Sequence, residues 1–172
     1  MYDPSIYDNL KIVLEGAVYD RDLDERWVVL GREDLVDLAQ MARTFRIRFH
    51  VKHAPAVVAT LTLGSELQDF AAEWLEQTTV QAGCYLEVSF LTTVTDVQAC
   101  AAIEQQLQGI WGGRPIIRQH LSFPYPQKSA MLQNDVSLHF ARKIDESNIA
   151  DIDSVLDHVS LSLDSLNRMH PV

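Results

Sequence analysis

The sequence contains little cysteine: Cys84 and Cys100 are the only two in 172 residues. They form no C-x-x-C motif and are too few for a disulfide framework. Cys84 alternates with apolar residues on a predicted strand, and Cys100 lies on the apolar side of a predicted helix. We therefore predict that both thiols are small buried side chains without a catalytic or metal-binding role.

Long apolar runs and an excess of positive charge are also absent. No run approaches the roughly 20 residues of a membrane helix, and the first residues lack the basic and apolar regions of a signal peptide. The formal net charge of −10 opposes the approach of nucleic acid and of anionic membranes. Because 47% of the residues are hydrophobic, the chain has enough apolar material for a core. These features predict an acidic, globular, cytoplasmic protein that binds neither nucleic acid nor membranes.

The sequence lacks the motifs that identify a reaction. It contains no G-x-S-x-G, no phosphate-binding or dinucleotide-binding glycine loop and no H-E-x-x-H. The acidic stretch DRDLDE at 20–25 begins like a calcium loop, but Glu25 occupies the position where such a loop needs glycine. We predict no cofactor and no metal site, and the sequence identifies no catalytic residues.

Hydrophobic periodicity divides the chain into strands and helices. Alternation and short apolar runs predict strands at 10–19, 26–31, 44–52, 57–63, 84–91, 115–123 and 134–142. Helical spacing predicts helices at 33–43, from 65 onward, at 95–111 and at 147–169. In the second of these helices, the stripe expected to face the core includes Leu67, Phe70, Trp74 and Leu75.

The last predicted helix has the strongest pattern. Its apolar residues step by three and four positions, which is the spacing of a heptad seam. The residues of this stripe are Ile149, Ile152, Leu156, Val159, Leu163 and Leu166. Such a stripe packs either on the chain's own sheet or against a second copy of the helix, and we favour its own sheet.

Two short segments repeat at corresponding places in the predicted element order. IRFHV at 47–51 and IRQHL at 117–121 share Arg-x-His, at an offset of 118 − 48 = 70 residues. We predict a single compact domain over 1–172, with pseudo-repeat halves 26–83 and 84–172. The predicted fold class is α+β. It consists of two degenerate ferredoxin-like βαββα repeats with an extra N-terminal strand, forming an antiparallel sheet with helices packed on one face.

Strand 44–52 alternates strictly between apolar and polar residues, and this alternation indicates a candidate site. If Phe45, Ile47 and Phe49 lie under the helices, the Arg and His residues between them lie on the uncovered face. The same parity places polar residues of three later strands on that face. The predicted ligand-binding residues are Arg46, Arg48, His50, Glu87, Arg118, His120 and His139.

Several functions fit such a face. Arginine suits carboxylate and phosphate groups, so we favour a non-catalytic binding or interaction protein that takes an anionic small molecule or an acidic protein partner. We also predict a homodimer. A solvated face with cross-strand charge pairs explains the same pattern without a ligand. Two alternatives are a small enzyme, such as a metal-assisted hydrolase or isomerase using His50, His120 and His139, and a structural protein that docks through the last helix.

Overall fold

The computed structural model describes residues 5–76, 79 and 81–171. These residues form an α+β fold with a six-stranded antiparallel sheet and four α-helices. The helices are α1 (Ile6–Leu23), α2 (Leu67–Trp74), α3 (Ala99–Trp111) and α4 (Ile152–Met169), and a 3-10 helix spans Glu146–Asp151. The strands are β1 (Trp27–Asp37), β2 (Ala42–Val51), β3 (Ala54–Ser65), β4 (Tyr85–Val94), β5 (Ile116–Ser122) and β6 (Leu132–His139). Both ends of the predicted domain, and residues 77, 78 and 80 of its first half, lie outside the described residues.

The extra N-terminal strand predicted at 10–19 is wrong, because this segment belongs to helix α1. Ser5 caps the helix: its hydroxyl accepts a hydrogen bond from the Asp8 amide at 3.2 Å. Leu10, Leu14 and Val18 follow at intervals of four residues and are almost fully buried. This spacing buries one helical stripe, which outweighs the strand-like run of apolar residues between them.

The helix predicted at 33–43 is also wrong, since this segment forms the end of β1, a turn and the start of β2. The two strands pair from Trp27↔Val51 to Asp37↔Ala42. Leu35 and Leu38 have helical spacing, yet both are exposed. Pairing with the long strand β2 therefore decides the structure here, against the local helical pattern.

Helix α2 is present, but the apolar stripe predicted to face the core is exposed. Trp74 is 78% exposed and Leu75 is 65% exposed, whereas Asp69 and Ala72 are buried. Asp69 accepts a hydrogen bond from the Glu66 amide at 3.1 Å and pairs with Lys143 at 2.5 Å. Periodicity shows which residues share a helix face, and these polar contacts determine which face turns inward.

The sheet has the strand order β1-β2-β3-β4-β6-β5, and each neighbouring pair is antiparallel. After β4, helix α3 carries the chain past one position to the edge strand β5, and a hairpin returns it as β6 between β5 and β4. The sheet is continuous across the two predicted halves, because β3 pairs with β4 from Val58↔Leu91 to Gly64↔Tyr85. The ferredoxin-like relation between the halves stays a prediction.

Helices α1, α3 and α4 bury the alternate residues of the sheet in one apolar core. The prediction that the last helix packs on its own sheet is confirmed: Leu156, Val159 and Leu163 are fully buried, and α4 contacts β3. Its apolar stripe is therefore occupied by the chain's own core. Truncating one such leucine to alanine costs about 2–5 kcal/mol of folding free energy.

The two cysteines differ in environment. Cys84 is buried, as predicted, and burial, followed by the nearby charges of Asp69 and Glu73, raises the pKa of its thiol to about 12. Cys100 is only partly buried, and its sulfur accepts a hydrogen bond from the Asn134 amide at 3.8 Å. Within the described part of the chain, no helix combines the length and apolar character needed to cross a membrane.

Candidate functional site

The side of the sheet opposite α1, α3 and α4, called the open face below, carries the residues that the alternation placed there. Arg48 pairs with Thr60, Thr60 with Ser89, Ser89 with Ser137, and Ser137 with Arg118. Directly paired residues in antiparallel strands point to the same side. Arg48 and Arg118 therefore share the open face, at opposite ends of one cross-strand row.

At the β2 end of the open face, the predicted residues interact with neighbouring groups of β1 and β2. Arg46 lies 3.5 Å from the Glu33 carboxylate on β1. The Nδ1 atom of His50 lies 2.9 Å from the backbone carbonyl of Val51, to which it donates a hydrogen bond. The guanidinium of Arg48 lies above Gly31, where a Cβ atom would come within 3.6 Å of it. This end is a row of side chains packed against the adjacent strand.

At the other end, strands β4, β6 and β5 form a pocket with a volume of about 660 Å³. Four of the predicted residues line it, together with serine, aspartate and glutamine residues. The lining consists of Glu87, Ser89, Arg118, Gln119, His120, Asp135, Ser137 and His139. We call it the open-face pocket, and it is the candidate functional site.

The structure thus divides the predicted residue set into two groups. Glu87, Arg118, His120 and His139 come together, while Arg46, Arg48 and His50 lie elsewhere on the same face. Four strand spacings of about 4.8 Å separate the β2 and β5 backbones, roughly 19 Å in total. One small ligand in the open-face pocket therefore does not contact the β2 group.

A row of polar contacts crosses the floor of the open-face pocket. Glu87 on β4 and His139 on β6 are directly paired residues, and Glu87 Oε2 lies 3.1 Å from His139 Nδ1. His139 Nε2 lies 3.0 Å from the hydroxyl oxygen of Ser137, two residues earlier on the same strand. The negative charge of Glu87 beside Nδ1 favours the tautomer of neutral His139 that carries its proton on Nδ1, and in that tautomer Nε2 accepts a hydrogen bond from Ser137.

Arg118 and His120 supply the positive and titratable groups of the opposite wall, on edge strand β5. Both side chains are exposed. Across the described residues, Arg118 makes no ion pair within 4.0 Å, although Asp135 lines the same pocket. The guanidinium therefore has donors available for a ligand.

The sequence did not identify Ser89, Ser137 and Asp135 as site residues. Parity placed the two serines on the uncovered face, but nothing local marked them as functional. Their role in the pocket depends on cross-strand register: Ser137 pairs with both Ser89 and Arg118, and Asp135 pairs with His120. Single-sequence periodicity does not define this register.

A metal ligand set is not assembled on the open face. His50 lies on β2, three strand spacings from His139 on β6. In residues 5–76, 79 and 81–171, no group of three or more His, Cys, Asp or Glu side chains is arranged to hold a metal ion. The three histidines predicted as alternative ligands therefore do not converge.

A second cavity of about 300 Å³ lies on the helix side of the sheet. Trp111, Phe140 and His158 line it, and the Trp111 indole donates a hydrogen bond to the Ser162 hydroxyl at 2.9 Å. Arg114 and Asp151 also line this cavity. Asn148 and Ser154 line it as well, so this cavity also has polar groups among its apolar walls. We take the open-face pocket as the candidate site because it is larger and brings four of the predicted residues together.

The fold and site together define an α+β protein with a helix-covered sheet and a polar pocket on its open face. Comparison with protein-family models, with curated proteins and with solved structures finds no match to this chain. The geometry and chemistry of the open-face pocket are therefore the basis on which we infer function.

Proposed function

We propose that the open-face pocket binds a small polar ligand that carries one carboxylate or phosphate group. The strongest support comes from Arg118, which lines a polar pocket. This arginine has no acidic ion-pair partner among the described residues. A guanidinium presents paired donors that match the two oxygens of such a group. His120, on the same strand face two residues away, adds a second donor.

The acidic residues of the pocket restrict the class of ligand. Glu87 is engaged with His139, and Asp135 lies opposite His120. Two carboxylates beside one arginine repel a ligand with several negative charges. They accept hydrogen bonds from hydroxyl or amino groups, as the Ser89 and Ser137 hydroxyls also can. A hydroxycarboxylate such as glycerate fits this combination better than a nucleoside triphosphate.

The other expectations are separate from this proposal. The homodimer, the cytoplasmic location and an acidic protein partner stay predictions, and a dimer over the open face would enclose the same pocket. The ferredoxin-like repeat also stays a prediction. The proposed site does not depend on it, because β4, β5 and β6 all belong to the second half of the chain.

Thermal stability with and without small anions tests the proposal. At a concentration 100-fold above Kd, glycerate stabilises the native state by about 2.7 kcal/mol, which is roughly 5–10 °C for a domain of this size. Inorganic phosphate is expected to shift Tm in the same direction, and adenosine triphosphate much less. Arg118→Ala removes charged hydrogen bonds and is expected to weaken binding by about tenfold or more.

Arg48→Ala is the matched control for this experiment. Arg48 is also an exposed arginine on the open face, in the same cross-strand row, but outside the pocket. This variant is expected to keep the full thermal shift. Equal losses in the two variants, or no shift of wild type with either anion, would contradict the proposal.

A further inference from the structure

We infer that Ser137 is a nucleophile, activated by His139 and positioned to attack an ester that carries a carboxylate. The inference rests on the proposed function, because the carboxylate is held by the same Arg118. The Ser137 hydroxyl is hydrogen-bonded to His139 Nε2 at 3.0 Å, and the Glu87 carboxylate lies 3.1 Å from the other ring nitrogen of His139. The 3.0 Å between Ser137 and His139 lies within the range at which a base takes a proton from a nucleophile.

Each of these three residues has a distinct role. His139 is the base, because its Nε2 atom accepts the Ser137 proton. Glu87 is a positioning residue: its negative charge, 3.1 Å from Nδ1, favours the proton on that nitrogen and so leaves Nε2 free to accept. The Glu87 carboxylate also stabilises the imidazolium that forms when the proton is transferred.

The backbone keeps these side chains in place. Ser137 and His139 are two residues apart on β6, so both point to the open face. Glu87 pairs directly with His139 across the β4–β6 ladder. Because β6 lies between β4 and β5, strands on both sides fix its backbone, and a site built on strands is more rigid than one on loops.

The substrate class follows from the residue that lies next to Ser137 on β5, the strand on the side of β6 opposite β4. Arg118 pairs directly with Ser137 across the β5–β6 ladder. Its guanidinium would hold a carboxylate of the acyl group beside the reacting carbonyl. The same positive charge favours the negative charge that develops on the carbonyl oxygen. Half esters of small dicarboxylic acids have this arrangement of groups.

The reaction is balanced with water as the only co-reactant. The Ser137 oxygen bonds to the ester carbonyl carbon while its proton moves to His139 Nε2. The bond to the leaving alcohol oxygen then breaks, and His139 returns the proton to that oxygen. Water attacks the resulting acyl-serine with His139 again as base, which releases the acid and restores Ser137. The His139 side chain is 36% exposed, so water reaches the site.

Two readouts test Ser137 as the nucleophile: hydrolysis of p-nitrophenyl hydrogen succinate, and labelling by a fluorophosphonate followed by mass spectrometry of the modified peptide. Wild type is expected to hydrolyse the succinate half ester and to be labelled on Ser137. Ser137→Ala and His139→Gln are each expected to lower both signals by about tenfold or more, because nucleophile and base act as a unit.

Thr60→Ala is the matched control, since Thr60 carries a hydroxyl in the same cross-strand row of the open face but lies outside the open-face pocket. It is expected to keep both the hydrolysis and the label. Arg118→Ala is expected to remove the preference for the succinate half ester over p-nitrophenyl acetate while Ser137 is still labelled. Melting curves of each variant establish that it is folded.

The outcomes separate this inference from the ligand proposal. If glycerate stabilises wild type and Ser137→Ala equally but no Ser137 adduct forms, the nucleophile is overturned and the binding site stands. If Ser137 is labelled but Arg118→Ala leaves ester preference and glycerate binding unchanged, the anion site is overturned. Equal labelling of Ser137→Ala and wild type would also overturn the nucleophile.

Discussion

The two ends of the open face carry the same short pattern, Arg-x-His, on strands with the same parity, yet they form different surfaces. On β2, Arg46 pairs with Glu33, Arg48 lies over Gly31, and His50 donates a hydrogen bond to the Val51 carbonyl. On β5, Arg118 and His120 face a pocket. The pattern therefore places side chains on a face but does not determine whether they surround a cavity.

The size of the neighbouring side chains explains much of this difference. The cross-strand row that joins Arg48 to Arg118 carries the β-branched Thr60 next to Arg48, and His50 pairs with Val58. The row through Arg118 continues with two serines, Ser137 and Ser89. Small side chains on the two strands next to the edge strand leave space between the longer histidine, arginine and glutamate side chains, and this space is the open-face pocket.

The largest expected difference is in stability, between variants on the two faces of β2. Phe49 is fully buried and stacks on Trp27 with ring centroids 4.2 Å apart. Phe49→Ala is expected to lower the free energy of unfolding by about 3–5 kcal/mol, whereas Arg48→Ala changes it by less than about 0.5 kcal/mol. Urea unfolding of both variants measures this. Comparable losses would mean that the alternation of β2 has been assigned to the wrong faces.

A smaller free-energy change, in ligand affinity, is expected from filling the open-face pocket. Ser89→Val places a β-branched side chain in its floor, as Thr60 does at the β2 end. We expect glycerate affinity to fall by about tenfold, or ~1.4 kcal/mol, with no loss of stability, because valine favours strands. Isothermal titration calorimetry measures the affinity. The reverse change, Thr60→Ser, is the control and leaves the affinity unchanged; tight binding by Ser89→Val would show that the ligand lies elsewhere.

Strands with strict alternation could be predicted from the sequence, and so could the face on which their residues lie. Phe45 and Ile47 are buried beneath the helices, and Arg46 and Arg48 are exposed between them. The face can be predicted because side-chain direction in a strand depends only on a period of two residues. Gly112, at the C-terminal cap of α3, adopts a left-handed conformation with φ of 63°, which glycine favours at a helix end.

Register and long-range pairing could not be predicted. The stretch at 33–43 has helical spacing, but its structure is determined by β2, a strand that follows it in sequence. The open-face pocket depends on which residue of β6 lies beside Glu87 and which lies beside Arg118, and no local pattern contains that information. The contact between Glu87 and His139 follows from this pairing.

An NMR titration of backbone amide resonances with glycerate compares the two ends in a single experiment. If the open-face pocket is the binding site, saturable shifts are confined to residues 87–89, 116–120 and 135–139, and the amides of 46–50 do not move. Shifts centred on 46–50, or shifts that spread over both ends without saturating, would contradict the claim that the open-face pocket is the binding site.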